Sequence, residues 1–500
     1  MFDTLTLLAH GLAVAATPIN LLFALVGCLL GTLIGVLPGI GPLATISMLL
    51  SITIRLEPVT SLIMLAGVYY GAQYGGSTTA ILCKIPGEAS SVVTAIDGYM
   101  MAKKGRGGTA LAAAAFSSLL AGIIATFFIA FFSPMLAQFA INFNAPEYFS
   151  LMLFGLLSSV FFSAGSKLKA LAMAILGLLF GLVGTDVETG ALRFTMGIGE
   201  FTDGLDLVAI SMAFFGLNEI ITNISEKQKA KTTTYPIGST KMTGSDVRRG
   251  VPAALRGTLI GSILGVLPGG GVQLSPFASY MVEQKVSKHK AELGEGAVEG
   301  VAGPEAANNA AAQTSFIPLL TLGVPGNPVI ALILGAMIMQ GIQPGPQVLT
   351  KQPELVWGLI ASMLVGNVML VVINLPLIGL WVRLLSVRQA ILFPIIIVFS
   401  CIAVYTVSSS LVNLVMMSIL AVLGIVLTTL RFPLIPLLLG LVLGPMMEES
   451  LRRAFSISRG DPTVFVSRPI SLAILMLTAA TLAIVFLPAI RRNEAIFVAD

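Results

Sequence analysis

The chain has 500 residues, of which 56% are hydrophobic and only 10% are charged, and its mean hydropathy is +0.95. Soluble domains carry about a quarter charged residues, so this chain lacks the polar surface that soluble domains of this total length need. The net charge of +4 is small and scattered, which argues against a nucleic-acid-binding surface. The composition therefore predicts an all-α polytopic membrane protein.

Few residues are available for enzyme chemistry. Cys28, Cys83 and Cys401 lie far apart in apolar sequence and form no metal-binding spacing. Only His10 and His289 are present, so no zinc site and no Ser/His triad is indicated. No GxxxxGK[ST] motif occurs, and the first residues lack the basic region of a cleaved signal peptide. We expect no cofactor and no enzymatic activity, and we expect the first residues to be retained.

Apolar stretches long enough to cross about 30 Å of hydrocarbon recur along the chain. They lie at 58–82, 109–132, 148–163, 168–184, 207–223, 355–382, 389–408, 411–430, 432–446 and 469–490. Two further regions, 20–54 and 253–282, are apolar but contain Pro and Gly in the middle. We expect about 10–12 spans.

The loop charges predict an orientation, because cytoplasmic loops carry an excess of Lys and Arg. The 98–107 and 224–256 loops are basic, whereas 185–206 is acidic and is expected outside. Arg491 and Arg492 place the C-terminus in the cytoplasm. The 447–468 loop does not fit: the number of spans places it outside, yet it contains four arginines.

The chain contains an internal repeat. GVLPGIG at 35–41 recurs as GVLPGGG at 265–271, an offset of 230, and ten residues of 25–41 are identical to their counterparts. A weaker match relates 85–87 to 324–326, at an offset of 239. The charges on corresponding loops are reversed, which predicts two inverted-topology repeats of the kind found in secondary transporters.

The repeat divides the chain into four parts. The first repeat is 1–223, with a re-entrant hairpin at 20–54 and a discontinuous helix at 58–102. A basic cytoplasmic linker follows at 224–252. The second repeat is 253–446, with its hairpin at 253–282 and its broken span at 299–343. The C-terminal loop and last span are 447–500.

The helix breaks predict the position of a transport site. Pro and Gly free backbone groups from the helix, which is tolerated in a membrane only where protein or a cavity satisfies those groups. Helix termini at the breaks favour an anion, and freed carbonyl oxygens favour a hard cation such as Na⁺. The predicted substrate-binding residues are Pro38, Gly39, Gly41, Ser77, Thr78, Thr79, Pro268, Gly269, Gly270, Gly271, Asn308, Asn309, Thr314 and Asn327. The predicted cation-coupling residues are Pro86, Gly87, Glu305, Gly323, Pro325 and Gly326.

Each of these features has a simpler interpretation. A single PGxG is usually a kink or a loop, and only the matched pair argues for more. Ser, Thr and Asn in a span often serve helix–helix hydrogen bonding. Burying the charge of Glu88 or Glu305 inside the membrane costs free energy, so these residues indicate a function. Either could instead lie at the membrane interface and cap a helix.

Two other functions remain open at this stage. A channel needs a continuous polar pore lining, whereas the polarity here is concentrated at two matched breaks. An intramembrane enzyme needs a catalytic set at membrane depth, and neither histidine lies in a predicted span. Saturable, gradient-driven accumulation separates a transporter from both.

The same residues resemble the large membrane subunit of the tripartite tricarboxylate transporters. The resemblance rests on GTLIGVLPGIGP (31–42), YGGSTTAILCKIPGEASSVVTAIDGYMMAKKGRGG (74–108), GVLPGGG (265–271) and EGVAGPEAANNAAAQTSFIPLLTLGVPGNP (299–328). It covers essentially the whole chain, and the departures from the family pattern are modest, chiefly Cys83-Lys84 ahead of the first break.

The resemblance implies a secondary importer of the bacterial inner membrane. Its partners would be a small membrane subunit and a periplasmic solute-binding protein, its substrate citrate or another carboxylate, and its coupling ion Na⁺ or H⁺. A channel and a carboxylate transporter that works without a binding protein are the alternatives.

Overall fold

The fold is known from a computed structural model. It describes residues 2–37, 41–85, 87–186, 188–218, 220–221, 237–384 and 389–497. Within these residues almost all regular structure is helical, and the only strands are Gly184–Thr185 and Leu192–Arg193, which pair antiparallel. The predicted all-α class is therefore confirmed.

The helices of the first half, in chain order, are α1 Phe2–Ala15, α2 Pro18–Val36, α3 Pro42–Thr53, α4 Pro58–Cys83, α5 Thr94–Lys103, α6 Gly107–Ala140, α7 Ala145–Phe162, α8 Lys167–Gly181 and α9 Leu207–Ser211. Helix α9 continues as the π-helical turn Met212–Leu217. Short 3₁₀ helices lie at Ala89–Val92 and Gly199–Phe201. Helix α1 was not predicted, because it is only 14 residues long and so too short for a membrane span.

The helices of the second half are α10 Gly244–Gly265, α11 Gly271–Val286, α12 Glu299–Thr314, α13 Phe316–Leu322, α14 Pro328–Met339, α15 Val348–Lys351, α16 Pro353–Asn374, α17 Ile378–Leu384, α18 Gln389–Ser408, α19 Leu411–Thr429, α20 Ile435–Ser458, α21 Val464–Ser467 and α22 Pro469–Phe497. A 3₁₀ helix lies at Lys290–Glu292. Five described helices are long and apolar enough to cross a membrane: α2, α6, α7, α16 and α19.

Two predicted boundaries differ from the structure. Helix α10 begins at Gly244, inside the predicted 224–252 linker, because Thr243 and Asp246 form a capping box at its start. The predicted loop after residue 446 is helical as far as Ser458. Glu448 pairs with Arg452 four residues later, and Glu449 pairs likewise with Arg453, which favours continuation of α20. Residues 222–236 of the linker region lie outside the described residues.

The internal repeat is visible in how the helices pack. In the first half α2 lies against α4 so closely that a side chain on Gly31 would overlap the carbonyl oxygen of Val68. In the second half α10 lies against α12, and Gly261 is held in the same way against Ala307. Gly261 and Gly31 differ by 230 positions, and Ala307 and Val68 by 239, the two offsets found in the sequence.

The neighbouring pairs follow the same rule: Gly27 with Met64, Gly35 with Ala72, Gly257 with Gly303, and Gly265 with Ala311. The two halves therefore repeat one helix-pair geometry, built on small residues spaced four apart. Their inverted orientation stays a prediction.

Each half covers the hairpin of the other half. The tip of the second hairpin, between α10 and α11, packs on α7, where Gly269 and Gly270 lie against Ser158 and Phe162. In the first hairpin, α3 packs on α18, and Leu37 forms an apolar cluster that includes Phe393 and Ile396. The halves are thus interlocked rather than side by side.

The arginines of 447–468 lie beside acidic residues. Arg452 pairs with Asp186 at 2.8 Å, which places α20 on the same side of the molecule as the acidic 185–206 loop. Arg468 pairs with the buried carboxylate of Glu147. Arg453 also pairs with Glu449, so three of the four arginines have carboxylate partners, and the side of the membrane on which this loop lies stays a prediction.

Candidate substrate and ion site

The second hairpin tip and the second helix break meet directly. Gly269 has a φ of +102°, a backbone conformation that favours glycine, and its N–H donates to the carbonyl oxygen of Gly326 at 2.9 Å. Helix α13 ends at Gly323, which adopts the left-handed conformation with φ +69°. The sequence prediction placed these residues in one site, and the structure brings Gly269 and Gly326 into contact.

Asn327 connects this break to the first half. Its Oδ1 caps α14 by accepting from the N–H of Ile330 at 3.0 Å. Its Nδ2 donates to the hydroxyl of Tyr69 on α4 at 3.2 Å and to Ser315 Oγ at 3.1 Å. Tyr69 was not predicted as a site residue, because nothing in the local sequence of α4 indicates that it contacts a residue 258 positions away.

Two helix N-termini converge at this contact. Helix α11 begins at Gly271, directly after the tip, and α14 begins at Pro328, directly after the break. The positive ends of their dipoles favour an anionic group nearby, although Pro328 has no N–H and the N–H of Ile330 already donates to Asn327. The sequence predicted such an arrangement for a carboxylate, and its role in binding one stays a prediction.

The first break packs against α2 and α4. The N–H of Gly87 donates to the carbonyl oxygen of Gly76 at 3.4 Å, and a side chain on Gly87 would overlap the carbonyl oxygen of Gly35. Gly41 precedes α3 in an extended conformation. Three predicted site residues of this half, Pro38, Gly39 and Pro86, lie outside the described residues.

Glu305 of α12 lies beside the first break. Its side chain is 1% exposed, and its Oε2 accepts from Ser77 Oγ at 2.6 Å while its Oε1 accepts from the Thr94 hydroxyl. Ser77 was predicted as a site residue, whereas Thr94, the first residue of α5, was not. The carboxylate of the second half is thus held by hydroxyls of the first half.

Amide side chains extend this network. Gln73 Oε1 accepts from Asn308 Nδ2 at 2.6 Å and from Ser90 Oγ at 3.1 Å. Asn309 Nδ2 donates to Ser118 Oγ at 2.7 Å. Gln73 lies one helical turn before Ser77, so its position in the polar run of α4 was the available signal for including it.

Asp97 joins the same helices near the start of α12. It is fully buried, and its carboxylate accepts from the Tyr280 hydroxyl at 2.8 Å. It also accepts from the backbone N–H groups of Gly294, Gly296 and Ala297 at 2.8–3.1 Å. Because Thr94 and Asp97 belong to one turn of α5, this short helix fixes α12 at two points.

The remaining predicted residues are less closely joined. Thr78, Thr79 and Thr314 direct their hydroxyls to carbonyl oxygens of their own helices, the arrangement expected of purely structural residues. The predicted cation-coupling set lies in two places, because Gly326 packs near Ser315 and ten residues of helix separate Ser315 from Glu305. At 1.5 Å per residue that separation is about 15 Å.

A cavity of about 820 Å³ lies elsewhere, between the 185–206 loop, α8, the end of α14 and α20. Its charged lining includes Arg193, which contacts Glu448 at 2.6 Å, and Arg452, which contacts Asp186. These arginines are already matched by carboxylates, so we do not assign an anion to this cavity. Helix α14 joins it to the second break.

Comparison with known proteins identifies the family. The family model described as the "Tripartite tricarboxylate transporter TctA family" matches residues 21–439. The chain belongs to the TctA family. It is 53% identical over 501 residues to the "Uncharacterized 52.8 kDa protein in TAR-I ttuC' 3'region" of Agrobacterium vitis, with both chains fully covered. It is also 56% identical over 241 residues to the "Uncharacterized protein in TAR-II ttuC' 3'region" of the same organism, which covers 48% of this chain and all of that protein.

No solved structure matches the chain. Membership of the TctA family makes the chain a membrane subunit of a tripartite transporter, and therefore a transport protein that works with partner subunits.

Proposed function

We propose that this TctA-family protein is the permease subunit of a secondary importer for di- and tricarboxylate anions such as citrate. It works in the bacterial inner membrane with a small membrane subunit and receives substrate from a periplasmic solute-binding protein. A Na⁺ or H⁺ gradient drives it. The observation that carries the proposal is the contact between Gly269 and Gly326, which brings the N-termini of α11 and α14 close together.

The substrate carboxylates interact with these helix N-termini and with Asn327, while a cation near the first break offsets the negative charge. Burying an uncompensated anion costs several kcal/mol, so anion and cation bind best together. Coupling follows, because neither ligand alone gives a neutral site that can move through the membrane. One bundle then shifts against the other and opens the site to the cytoplasm.

The test is uptake of labelled citrate and a panel of di- and tricarboxylates into proteoliposomes that contain this chain and its small membrane partner. Each substrate is assayed with an imposed Na⁺ or H⁺ gradient, with and without the solute-binding protein. We expect accumulation that needs both the gradient and the binding protein. Uptake that ignores the binding protein would favour the simpler carboxylate transporter, and flux that only dissipates gradients would favour a channel. An intact complex that moves no carboxylate would overturn the proposal.

A further inference from the structure

Glu305 differs from every other buried carboxyl group in the described part of the chain. Seven Asp and Glu side chains are buried there. Five of them pair with an arginine: Glu147 with Arg468, Asp186 with Arg452, Asp246 with Arg106, Glu283 with Arg256, and Glu299 with Arg249. Asp97 accepts from three backbone N–H groups and a tyrosine hydroxyl. Glu305 has only the hydroxyls of Ser77 and Thr94.

This difference has an energetic consequence. A carboxylate taken out of water costs several kcal/mol unless a positive charge or several N–H donors compensate it. Two hydroxyl donors do not match the charge that an arginine supplies at the other sites. Glu305 therefore needs to take up a positive species in this conformation, either a proton or a metal cation.

A small cavity adjoins the carboxyl group. It has a volume of about 20 Å³, and its lining includes Glu305, Tyr74, Ser118 and Asn374. This volume suits one water molecule. The Tyr74 hydroxyl and Asn374 Oδ1 are buried and have no hydrogen-bond partner among the described residues, although Asn374 Nδ2 donates to Leu370 at 2.9 Å.

We propose that Glu305 is a proton-binding residue and that one water molecule in this cavity connects it to Tyr74 and Asn374. The water donates to Glu305 and to Asn374 Oδ1 and accepts from the Tyr74 hydroxyl, so it satisfies both unpartnered groups. Protonation forms one O–H bond on the carboxylate and breaks one O–H bond of a hydronium ion, which leaves as water.

The geometry favours a proton over Na⁺. A hard metal cation takes about six oxygen ligands. Among the described residues that line this cavity, only the Tyr74 hydroxyl and Asn374 have a polar atom without a hydrogen-bond partner, so even with the carboxylate the cavity offers few ligands. Ser77 and Thr94 direct their hydrogens to Glu305, and Ser118 Oγ accepts from Asn309. A proton needs neither more room nor more ligands.

Proton binding also changes a contact between the two halves. Ser77 and Thr94 donate to different oxygens of the carboxylate, so a proton on either oxygen makes one hydroxyl turn or lose its bond. Thr94 is the first residue of α5, which also holds the start of α12 through Asp97. Protonation therefore weakens one of the hydrogen bonds that hold α12 against the first half.

Few other charged groups face this site. Among the described residues, α4 contributes the titratable side chain of Tyr74, and α5 contributes Asp97, which is compensated by N–H donors. Glu283 of α11 is neutralised by Arg256 of α10. Helices α6 and α16 present only uncharged side chains to the cavity. Glu88 lies directly after Gly87 at the first break and accepts from Ser90, so a titration observed here is assigned to Glu305 if it persists in Glu88→Gln.

Infrared spectroscopy of the full-length protein in lipid tests this directly. We expect a protonated-carboxyl band at neutral pH that is lost in Glu305→Gln and retained in Glu299→Gln. Glu299 lies on the same helix as Glu305, but its carboxylate is paired with Arg249 of α10. Tyr74→Phe should raise the midpoint of the band's pH titration, because the ionised form loses a donor that reaches it through the water. A Tyr74→Phe midpoint equal to that of the wild type would refute the water connection even if Glu305→Gln fails to fold.

Sodium addition decides between the two positive species. A band that persists as Na⁺ is added supports the proton, whereas a band that disappears on Na⁺ addition, or is absent throughout, overturns the proposal. The coupling role rests on the transport function proposed above, but the band does not. A titrating band without carboxylate uptake would refute the transport function alone, and pH-driven uptake unchanged in Glu305→Gln would refute the role of this residue alone.

Discussion

The two helix breaks have the same packing but different polar surroundings. At each break a glycine lies against the end of the first helix of its own hairpin, Gly87 beside Gly35 and Gly326 beside Gly265. The first break has a carboxyl group nearby, Glu305, contributed by the second half. The second break has the neutral amide of Asn327, which reaches Tyr69 in the first half.

The repeat constrains the residues that pack the helix pairs but not the polar residues at the breaks. Small residues at corresponding positions preserve the helix-pair geometry in both halves, because a larger side chain would overlap a backbone carbonyl. The polar residues are not bound by this constraint and have diverged. A carboxyl group that can take up a positive species at one break and two neighbouring helix N-termini at the other suit a cation and an anion respectively, and coupled transport requires both.

The largest expected effect comes from breaking the shared packing. Gly31→Leu and Gly261→Leu should each destabilise the protein by about 3 kcal/mol or prevent folding, because both force a side chain into a carbonyl oxygen of the partner helix. The measurement is thermal unfolding and monodispersity in detergent. Gly379→Leu is the control, since Gly379 is helical and exposed with open space around it. A tolerated leucine at either site would show that the repeat does not depend on this contact.

The next largest effect should come from the second hairpin tip. Gly269→Ala should lower uptake by about tenfold, equivalent to about 1.4 kcal/mol, because alanine disfavours its positive φ and would lie 2.6 Å from Ser158 Cβ. Gly190→Ala also places alanine at a positive φ, +71°, but with open space around it and no link to the site. Equal loss of uptake in both variants would contradict a role for the hairpin tip in the transport site.

A smaller effect is expected at the second break. Asn327→Ala should cost about 1 kcal/mol of stability through the lost cap of α14 and should also raise the KM for carboxylate uptake. Ser410→Ala removes a comparable cap from α19, far from both breaks. If the two variants transport equally well, Asn327 serves only as a helix cap, and the polar difference between the two breaks has no role in transport.

The smallest effect concerns the acidic loop near α20. Burial alone would raise the pKa of Asp186, but hydrogen bonds from the N–H groups of Glu188 and Thr189 and from Arg452 bring that pKa below its usual value. A lowered carboxyl pKa stabilises the folded state above the unfolded value of about 3.9, and this stabilisation is lost as the pH falls below it. Unfolding temperatures measured against pH should therefore fall less steeply in acid for Asp186→Asn than for the wild type. Parallel curves would contradict the assignment.

Much of the architecture could be predicted because short local sequence patterns indicate it. The two GVLPGxG motifs and the glycines spaced four apart indicate both hairpins. The run from Glu448 to Arg453 contains the ion pairs that favour the extension of α20. The 14-residue α1 could not be recognised by length, and the capping box of α10 was hidden by the polar composition of the linker.

The site was predicted in its parts but not in its connections. Glu305, Ser77 and Asn327 were recognisable as polar residues near breaks in apolar sequence. Their partners were not, because Thr94 and Tyr69 resemble ordinary helix residues and lie more than 200 positions away from them. Pairings at that distance follow from the tertiary fold, which local periodicity does not encode.

The interlocking of the hairpins has a consequence for how the protein is made. The apolar cluster of the first hairpin is complete only after α18 has been synthesised, some 350 residues later. The second hairpin finds α7 already in place. We therefore expect the N-terminal half expressed alone to aggregate or be degraded, and co-expression with the C-terminal half to rescue it. A monodisperse N-terminal half would show that the first hairpin matures without its cover. Rescue by co-expression would mean that stable insertion of the first hairpin depends on a helix of the second half.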